Sequence, residues 1–456
     1  MLSRRVPPTA PPSRLRCPDA AGPQPWRRGP ATPLQSAQAN PSPDCGKPRG
    51  NSSKADKVVR YTRPRIVRTL RNGAHSTRGR SVDLEFTSEQ EELRSSVRSF
   101  LDKECPTDLV RAVVETGESA EALWRAMVEL DWPALAVPEE DGGIGLTFVE
   151  TAVVVEELGR VVAPGPLLPT VTQFAPMVRE VGSAEQRHRF LSGVASGETV
   201  GTVALADHPR SWRLRDLSMT AERVEGGWVL DGTKLGVLAG AGVTEVAVVA
   251  RAGEGLSAFV VPAGQAGLAP MHTLDASRTL CRATFEHVLV PDDRALGEPG
   301  GDVATDGVVR AVQEATVALA LETVGACDAL FQMVLAYVKD RRQFGVPVGS
   351  FQAVKHKMSD MFLAIERARS LCYFAVAAID EDTAGRATVA AMAKAASDDC
   401  QRLVCREAFQ SFGGIGFTWE HDSHLFIKRA ETAATLFGGA SEHLLSVADS
   451  LGVSAG

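Results

Sequence analysis

Asp340-Arg341-Arg342-Gln343-Phe344-Gly345, with Phe351-Gln352-Ala353-Val354 close behind, interrupts one long helical pattern and lets a second begin. Gln410-Ser411-Phe412-Gly413-Gly414-Ile415-Gly416-Phe417 ends a third. From Val303 to Ser450 prolines are few, and apolar residues form long stripes across 304–340, 350–380 and 387–412. Four antiparallel helices would bury those stripes against one another, which predicts a C-terminal four-helix bundle. Phe362, Tyr373 and Phe374 read as packing residues within it. On pattern alone, Arg341 is a solvated helix end and Gly413-Gly414 a plain turn.

Upstream, between about 198 and 302, the texture changes to short alternating or β-branched runs. Trp228-Val229-Leu230, Val243–Ala250, Ala258–Val261 and Ala283–Val290 are flanked by Gly, Pro and Asp, as strands of a compact domain are. Further back the pattern is helical again. Thr87-Ser88-Glu89-Gln90 offers a cap and early acidic residues, and Leu93, Val97, Phe100 and Leu101 follow at helical spacing. Helices are also expected over 119–131, 147–159 and 183–193, separated by breaks at Pro138–Gly145 and Pro164–Pro169. The expected fold is therefore multidomain α and β. It comprises an N-terminal α-helical domain (83–197), a central β-barrel-like domain (198–302) and the C-terminal bundle (303–450).

The chain has 456 residues, 44% of them hydrophobic, enough for a large core or several smaller ones. No uninterrupted apolar run reaches the roughly eighteen residues of a membrane span, so no membrane partner is expected. The eight cysteines include no CxxC pair. They read as scattered buried thiols of a reducing compartment, the cytoplasm, and no metal site is expected. The net charge of −7 conceals an asymmetry. Of 49 Lys/Arg and 56 Asp/Glu, 17 and 3 fall in residues 1–80, leaving 32 against 53 in an acidic body that argues against a nucleic-acid partner. Residues 1–80 also hold 13 of the 26 prolines and lack apolar periodicity, so they are expected to be disordered. Three readings of this extension are open: a transit peptide, a basic nucleic-acid-binding tail, or a stretch not translated natively. Prolines 7, 8, 11, 12 and 18 oppose the helix a transit peptide needs. The preferred reading starts translation near Val82.

The two C-terminal segments resemble the signature of the acyl-CoA dehydrogenase family. So do Pro138-Glu139-Glu140-Asp141-Gly142-Gly143-Ile144-Gly145-Leu146, Glu156-Glu157-Leu158-Gly159-Arg160 and Gly227-Trp228-Val229-Leu230-Asp231-Gly232-Thr233-Lys234. Five such segments stand in the family's order and spacing, and the resemblance covers nearly all of 83–450. The resemblance implies FAD lying extended between subunits, its ADP portion received by a neighbour's Arg-x-x-Phe-Gly and Gln-x-x-Gly-Gly-x-Gly segments. Arg341, Gln343, Phe344, Gln410, Gly413 and Gly414 stand at those positions. The chemistry suits the role, because guanidinium pairs with phosphate oxygens and adjacent glycines let backbone N–H groups approach an anion.

The flavin-ring half departs from the family's pattern. The turn Asp231-Gly232-Thr233-Lys234 leads to Gly236 where the family has an aromatic shield, and to Leu238 where it has a threonine. The upstream Thr-Glu-Pro-x-Ala-Gly-Ser-Asp loop is reduced to Ala206-Asp207-His208-Pro209-Arg210-Ser211-Trp212. In Leu436-Phe437-Gly438-Gly439-Ala440-Ser441-Glu442, Gly438 takes the place of the catalytic glutamate. Desaturation of a thioester needs a carboxylate for the α-proton, and glycine can do no acid–base work. A minority of the family carries that glutamate on the first bundle helix, which falls near Ala315-Thr316, so Glu314 is the candidate displaced base. Glu322 and Glu442 read as surface or cap residues.

Some actinobacterial members, including ones acting on steroid side-chain thioesters, are α2β2 heterotetramers of two homologous chains. The leading expectation is a base-lacking subunit of such a heteromeric acyl-CoA dehydrogenase, completing the ADP site of FAD held mainly by its partner. An active homotetramer using Glu314 and a non-enzymatic scaffold with a vestigial FAD site are the alternatives. The acyl group is not legible.

Overall fold

The computed structural model describes residues 86–208, 211–240 and 242–453. The basic, proline-rich extension and its expected disorder lie outside them.

Thr87 opens α1 (Ser88–Glu104) with a capping box: its hydroxyl accepts the Gln90 N–H, and Gln90 Oε1 accepts the Thr87 N–H at 3.0 Å. Leu93, Val97 and Leu101 are buried, and Phe100 packs edge-on against Trp132. After it come α2 (Thr107–Thr116), α3 (Glu121–Glu129) and α4 (Phe148–Arg160). Next are α5 (Leu167–Pro169), a π-helical turn at Thr170–Phe174, α6 (Ala175–Val181) and α7 (Ala184–Ser196). The run from Leu167 begins inside the expected Pro164–Pro169 break. Pro166 is its N-cap and Pro169 lies in its first turn, where a missing N–H costs no helical hydrogen bond.

The central strands form two sheets. In one, β1 (Gly201–Ala204) runs parallel to β4 (Glu245–Ala252), which pairs antiparallel with β5 (Gly255–Pro262). The other has the order β2 (Ala221–Val224), β3 (Gly227–Leu238), β7 (Leu280–Pro291), β6 (Leu268–Pro270). Leu230, Val237 and Phe285 from the second sheet share one core with Val246, Val248 and Phe259 from the first. Two isolated bridges, Ala206 to Leu235 and Thr220 to Arg251, link the sheets at their corners, so the barrel-like character comes from wrapping rather than from a closed ladder. Asp231–Lys234, expected as a turn, is continuous strand within β3. Gly232 (φ +141°) absorbs a register shift there, so a bulge does the work assigned to a turn.

The C-terminal part is built on α8 (Asp302–Asp340), α9 (Gln352–Asp380) and α10 (Arg386–Phe412), with α11 (Ser423–Ala433) and α12 (Ala440–Ser450) against them. By length and composition α8 could cross a membrane, yet it is the central core helix and most of its apolar stretch is buried by the protein. Its crossing with α4 depends on two glycines. A Cβ on Gly159 would fall 2.0 Å from the Glu322 carbonyl oxygen, and one on Gly325 would fall 2.0 Å from that of Glu156. Tyr373 is buried, its hydroxyl donating to Glu156 Oε2 at 2.6 Å, and Phe374 is half-buried. Phe362 departs from the packing expectation. With Leu363 it lies on an outward face of α9 and remains exposed.

Candidate functional site

The Arg341 segment turns back on itself immediately after α8. Arg341 caps the helix, its N–H donating to the Tyr337 carbonyl at 2.9 Å, and Arg342–Gln343 pair with Val346–Pro347 in a two-stranded hairpin. Phe344 (φ +54°) and Gly345 (φ +84°) form the tip, both left-handed as a two-residue hairpin turn of this hand requires. Arg341, Arg342 and Gln343 are exposed, and neither guanidinium has a side-chain hydrogen bond or ion pair among the described residues. Phe344 is 92% exposed, its ring meeting that of Phe351 edge-on at 6.2 Å. At the end of α10, Gly413 takes φ +62° and ψ −136°, a conformation open only to glycine, and no atom lies within 4 Å of a Cβ built there or on Gly414. Gln410 is exposed beside it. Tyr337, one turn before Arg341, packs edge-on against Phe412 at 5.3 Å. The two segments therefore share one end of the bundle.

The β3 side is packed around Gly236, while past Leu238 a cavity of about 680 Å³ stays open, lined also by Ser277, Arg278, Thr279, Glu322 and Arg429. Lys234 is wholly buried, donating to the Leu205 carbonyl at 2.9 Å and pairing with Asp207 at 2.5 Å. Burial opposes the Asp207 charge, but Lys234 and the Ser218 and Met219 N–H groups hold its carboxyl below the usual range. That pair anchors the loop leading to Trp212. The indole stacks on Phe437 at 5.2 Å, with 29° between the rings, and a Cβ on Gly236 would lie 3.1 Å from it. Gly438 is buried with φ +94°. A Cβ there would fall 3.0 Å from His443 Nε2 and 3.2 Å from Glu442 Oε2. His443 Nε2 sits 2.9 Å from the Phe437 carbonyl, which can only accept, so that nitrogen carries the proton. Burial, then the Lys394 charge, pushes His443 down to about 4. Lys394, fully buried on α10, pairs with Asp398 at 2.7 Å, and burial pushes Asp398 up to about 6.

The two glutamates of α8 lie elsewhere. Glu314 is buried and ion-paired with Arg179, in a cavity of about 740 Å³ that Glu180, Arg310, Asp380 and Arg386 also line. Burial pushes its carboxyl up against the pull of Arg179. Neither Leu238 nor Gly438 borders that cavity. Glu322, expected at the surface, is instead 2% exposed. It accepts from Arg278 at 2.6 Å and Arg429 at 2.8 Å, and Arg429 also bonds Asp275 at 2.8 Å. This ion cluster joins α8, α11 and the β6–β7 loop, with Arg429 donating to the carbonyls of Val162 and Ala163 as well. Its members come from separate segments, and nothing local in the sequence marks them as partners.

The FAD implied by the resemblance finds its contact groups on one side and lacks several on the other. Open backbone at Gly413-Gly414 and an exposed Arg341 suit an ADP portion arriving from outside the chain. Beside β3, the space next to Gly236 is taken by Trp212, and Leu238 has no hydroxyl to offer a ring nitrogen. The ring side therefore lacks the threonine contact at 238 and the glutamate at 438 that the family's pattern has there.

Residues 87–198 match the model of the acyl-CoA dehydrogenase N-terminal domain, and residues 307–451 match that of the C-terminal domain. The chain is 32% identical to acyl-CoA dehydrogenase IpdE2 of Mycobacterium tuberculosis over 360 residues, 78% of this chain and 95% of that one. It is 30% identical to mitochondrial isovaleryl-CoA dehydrogenase of Solanum tuberosum over 321 residues, covering 68% and 77%. Among solved structures, a variant of the Tcur3481-Tcur3483 steroid ACAD aligns with a TM-score of 0.72 at 31% identity, covering 80% and 98%. The ChsE4-ChsE5 complex from Mycobacterium tuberculosis shares the fold, with a TM-score of 0.74 at 24% identity and coverage of 82% and 100%. The chain belongs to the acyl-CoA dehydrogenase family, whose members use FAD to dehydrogenate acyl-CoA thioesters.

Proposed function

We propose that this chain is the base-lacking subunit of a heteromeric acyl-CoA dehydrogenase. The observation that carries this reading is the contrast at the FAD site: the chain's own ring side has Leu238 and Gly438 in place of a hydroxyl and a carboxylate, while its ADP-facing groups stand open to a neighbour. Arg341 would pair with the pyrophosphate, the Gly413-Gly414 backbone would donate to it, and Gln343, Phe344 and Gln410 would flank the adenosine. FAD, when bound, accepts the hydride; the partner subunit supplies the carboxylate that takes the α-proton. Exposed Phe344, Phe351, Ile415, Phe417 and Trp419 surround the ADP-facing end, an apolar surface that a homologous subunit in an α2β2 assembly would cover. An acyl-CoA with a steroid side chain is the substrate class that the similarity to a steroid dehydrogenase favours, and the cytoplasm is the expected compartment.

Purification of the chain alone, and co-expressed with a paralogue carrying an intact glutamate, tests the reading. Flavin absorbance and turnover are expected only from the pair. A yellow, active homo-oligomer of the single chain would overturn it.

A second reading, an active homo-oligomer with a displaced base, is favoured by one observation. The Glu442 carboxylate reaches to 3.2 Å from where the Gly438 Cβ would sit, whereas Glu314 is engaged by Arg179 in a separate cavity. Under that reading Glu442→Gln abolishes turnover by the single chain and Glu314→Gln does not.

A further inference from the structure

We propose that the cavity of about 680 Å³ past Leu238 is a binding site of this chain for a neutral, largely apolar small molecule that presents a carbonyl oxygen, with Arg278 as the group that receives it. The inference goes beyond the heteromeric reading, which gives this space no occupant and draws on the ADP-facing end.

The Arg278 side chain lines the cavity and is only 7% exposed. It spends one arm on Glu322, Nη2 donating to Oε2 at 2.6 Å. Nη1 and Nε have no hydrogen-bond partner among the described residues; Nε lies 3.3 Å from Asp275 Oδ2 without the alignment of a bond. A buried donor left without an acceptor is costly, so an acceptor supplied from the cavity is favoured. The polar neighbours are already spent. Both Glu322 oxygens accept, from Arg278 and Arg429, and the Ser277 hydroxyl accepts from Arg429 at 2.7 Å while donating to Asp275.

The ligand class follows from what surrounds these donors. Arg278 and Arg429 face Asp275 and Glu322, two charges of each sign, so the cluster offers N–H donors without a net charge to attract an anion. Glu118, Glu121 and Glu198 also line the cavity and are exposed, so a carboxylate or phosphate entering from solvent would meet like charge. The rest of the lining includes Trp124, Leu168 and Leu238, with Pro164, Pro166 and Pro169, whose backbone has no N–H to offer. Apolar walls with a few convergent donors are the usual form of a small-molecule site of this size. A carbonyl oxygen accepts from guanidinium N–H without bringing a charge past the acidic residues, and the apolar body gains by leaving water.

Equilibrium dialysis against the purified full chain tests this with three probes of one shape. 2-Acetylnaphthalene has the carbonyl, 2-ethylnaphthalene lacks it, and 2-naphthoate replaces it with an anion. The ketone is expected to bind at least about tenfold more tightly than either of the others. Arg278→Lys keeps a cation beside Glu322 but removes the forked donors, so it is expected to lose the preference for ketone over hydrocarbon. Thr279→Trp, at an exposed lining position, is expected to fill the cavity and weaken both neutral probes at least about tenfold. Equal affinities for ketone and hydrocarbon in the wild type, tighter binding of the naphthoate, or no retention of the ketone at its solubility limit overturns the proposal. So does a ketone preference that survives Arg278→Lys. Should that variant fail to fold, the wild-type series and Thr279→Trp decide, and ketone binding unchanged by Thr279→Trp overturns the proposal. Lumiflavin, the flavin ring without its phosphate, is dialysed in parallel. Lumiflavin bound more tightly than the ketone would make the cavity a flavin-ring seat, overturning this proposal and counting against the heteromeric reading as well; the other outcomes leave that reading untouched.

Discussion

At the ADP-facing end of the bundle, Arg341, Phe344 and Gln410 stand in solvent and Gly413-Gly414 present bare backbone; beside β3, Trp212, Phe437 and Leu436 close in around Gly236. One region has its polar and apolar groups left over after the chain has folded, and the other has satisfied them internally. A surface kept for another molecule shows as unspent contacts in the isolated chain, whereas a gap left by a missing side chain, as at Gly236, is filled from a neighbouring loop. The comparison can be broken at either region, and the largest effect is expected on the closed side.

Arg429 holds Asp275 and Glu322 in the buried cluster under that side, and its removal leaves two carboxylates facing Arg278 alone. Arg429→Met is expected to destabilise the chain by about 3–5 kcal/mol, read as a fall in the urea midpoint. A loss below about 1 kcal/mol would mean that the cluster is solvated and that the closed side is less packed than its geometry implies.

Arg341→Ala strikes the open side. It touches no packing, so the isolated chain should keep its stability while FAD retention by the co-expressed pair weakens by about 1.5–3 kcal/mol, roughly ten- to hundredfold in Kd. Equal FAD retention would remove the ADP-site role and leave the exposed hairpin unexplained.

Acid should loosen the closed side. His443 titrates at about 4 in the fold against 6.5 unfolded, so as pH falls below about 6.5 the unfolded chain binds a proton that the folded one refuses. Asp398 works in the opposite sense: raised from 3.8 to about 6, it is protonated in the fold first, which adds stability as pH falls through that window. The two offset each other in wild type. His443→Leu removes only the destabilising member, so its stability relative to wild type should rise between about pH 7 and pH 4.5 by on the order of 1–3 kcal/mol. A flat difference between the two chains would show that His443 is solvated and that the loop carrying Gly438 is open.

How much of this is legible in the sequence follows from where each interaction is written. The α1 cap and the stripe Leu93, Val97, Leu101 lie within one short window, and periodicity reads them directly. The hairpin at Arg341 and the glycine turn after α10 are equally local. The bulge at Gly232 reads as a turn because glycine serves both, and only the pairing of β3 with β7 decides between them. Burial of Glu322 depends on Arg278 and Arg429, which are distant in sequence, so a charged residue in a helical stripe reads as a surface one. For the flavin-ring side, the losses at Gly236 and Leu238 are visible residue by residue. That the altered loop returns a tryptophan to fill the space is not, because the indole reaches its seat through the path of the loop rather than through any spacing.

The smallest effect is expected at Phe344, and it sharpens the comparison most cleanly. The residue is a phenylalanine at φ +54°, a conformation that glycine adopts at lower cost, with its ring almost wholly in solvent. Nothing in the isolated chain's packing accounts for a large apolar side chain at the tip of a two-residue turn. Phe344→Gly should therefore leave the stability of the isolated chain within about 0.5 kcal/mol, because relief of backbone strain offsets the loss of one edge contact with Phe351. If the ring is there to meet a partner subunit, the same substitution weakens assembly of the co-expressed pair, read as subunit exchange or a shifted dissociation midpoint in analytical ultracentrifugation. A variant destabilised by more than about 1 kcal/mol on its own would place Phe344 in this chain's fold, and the open side would then be less open than its exposure indicates.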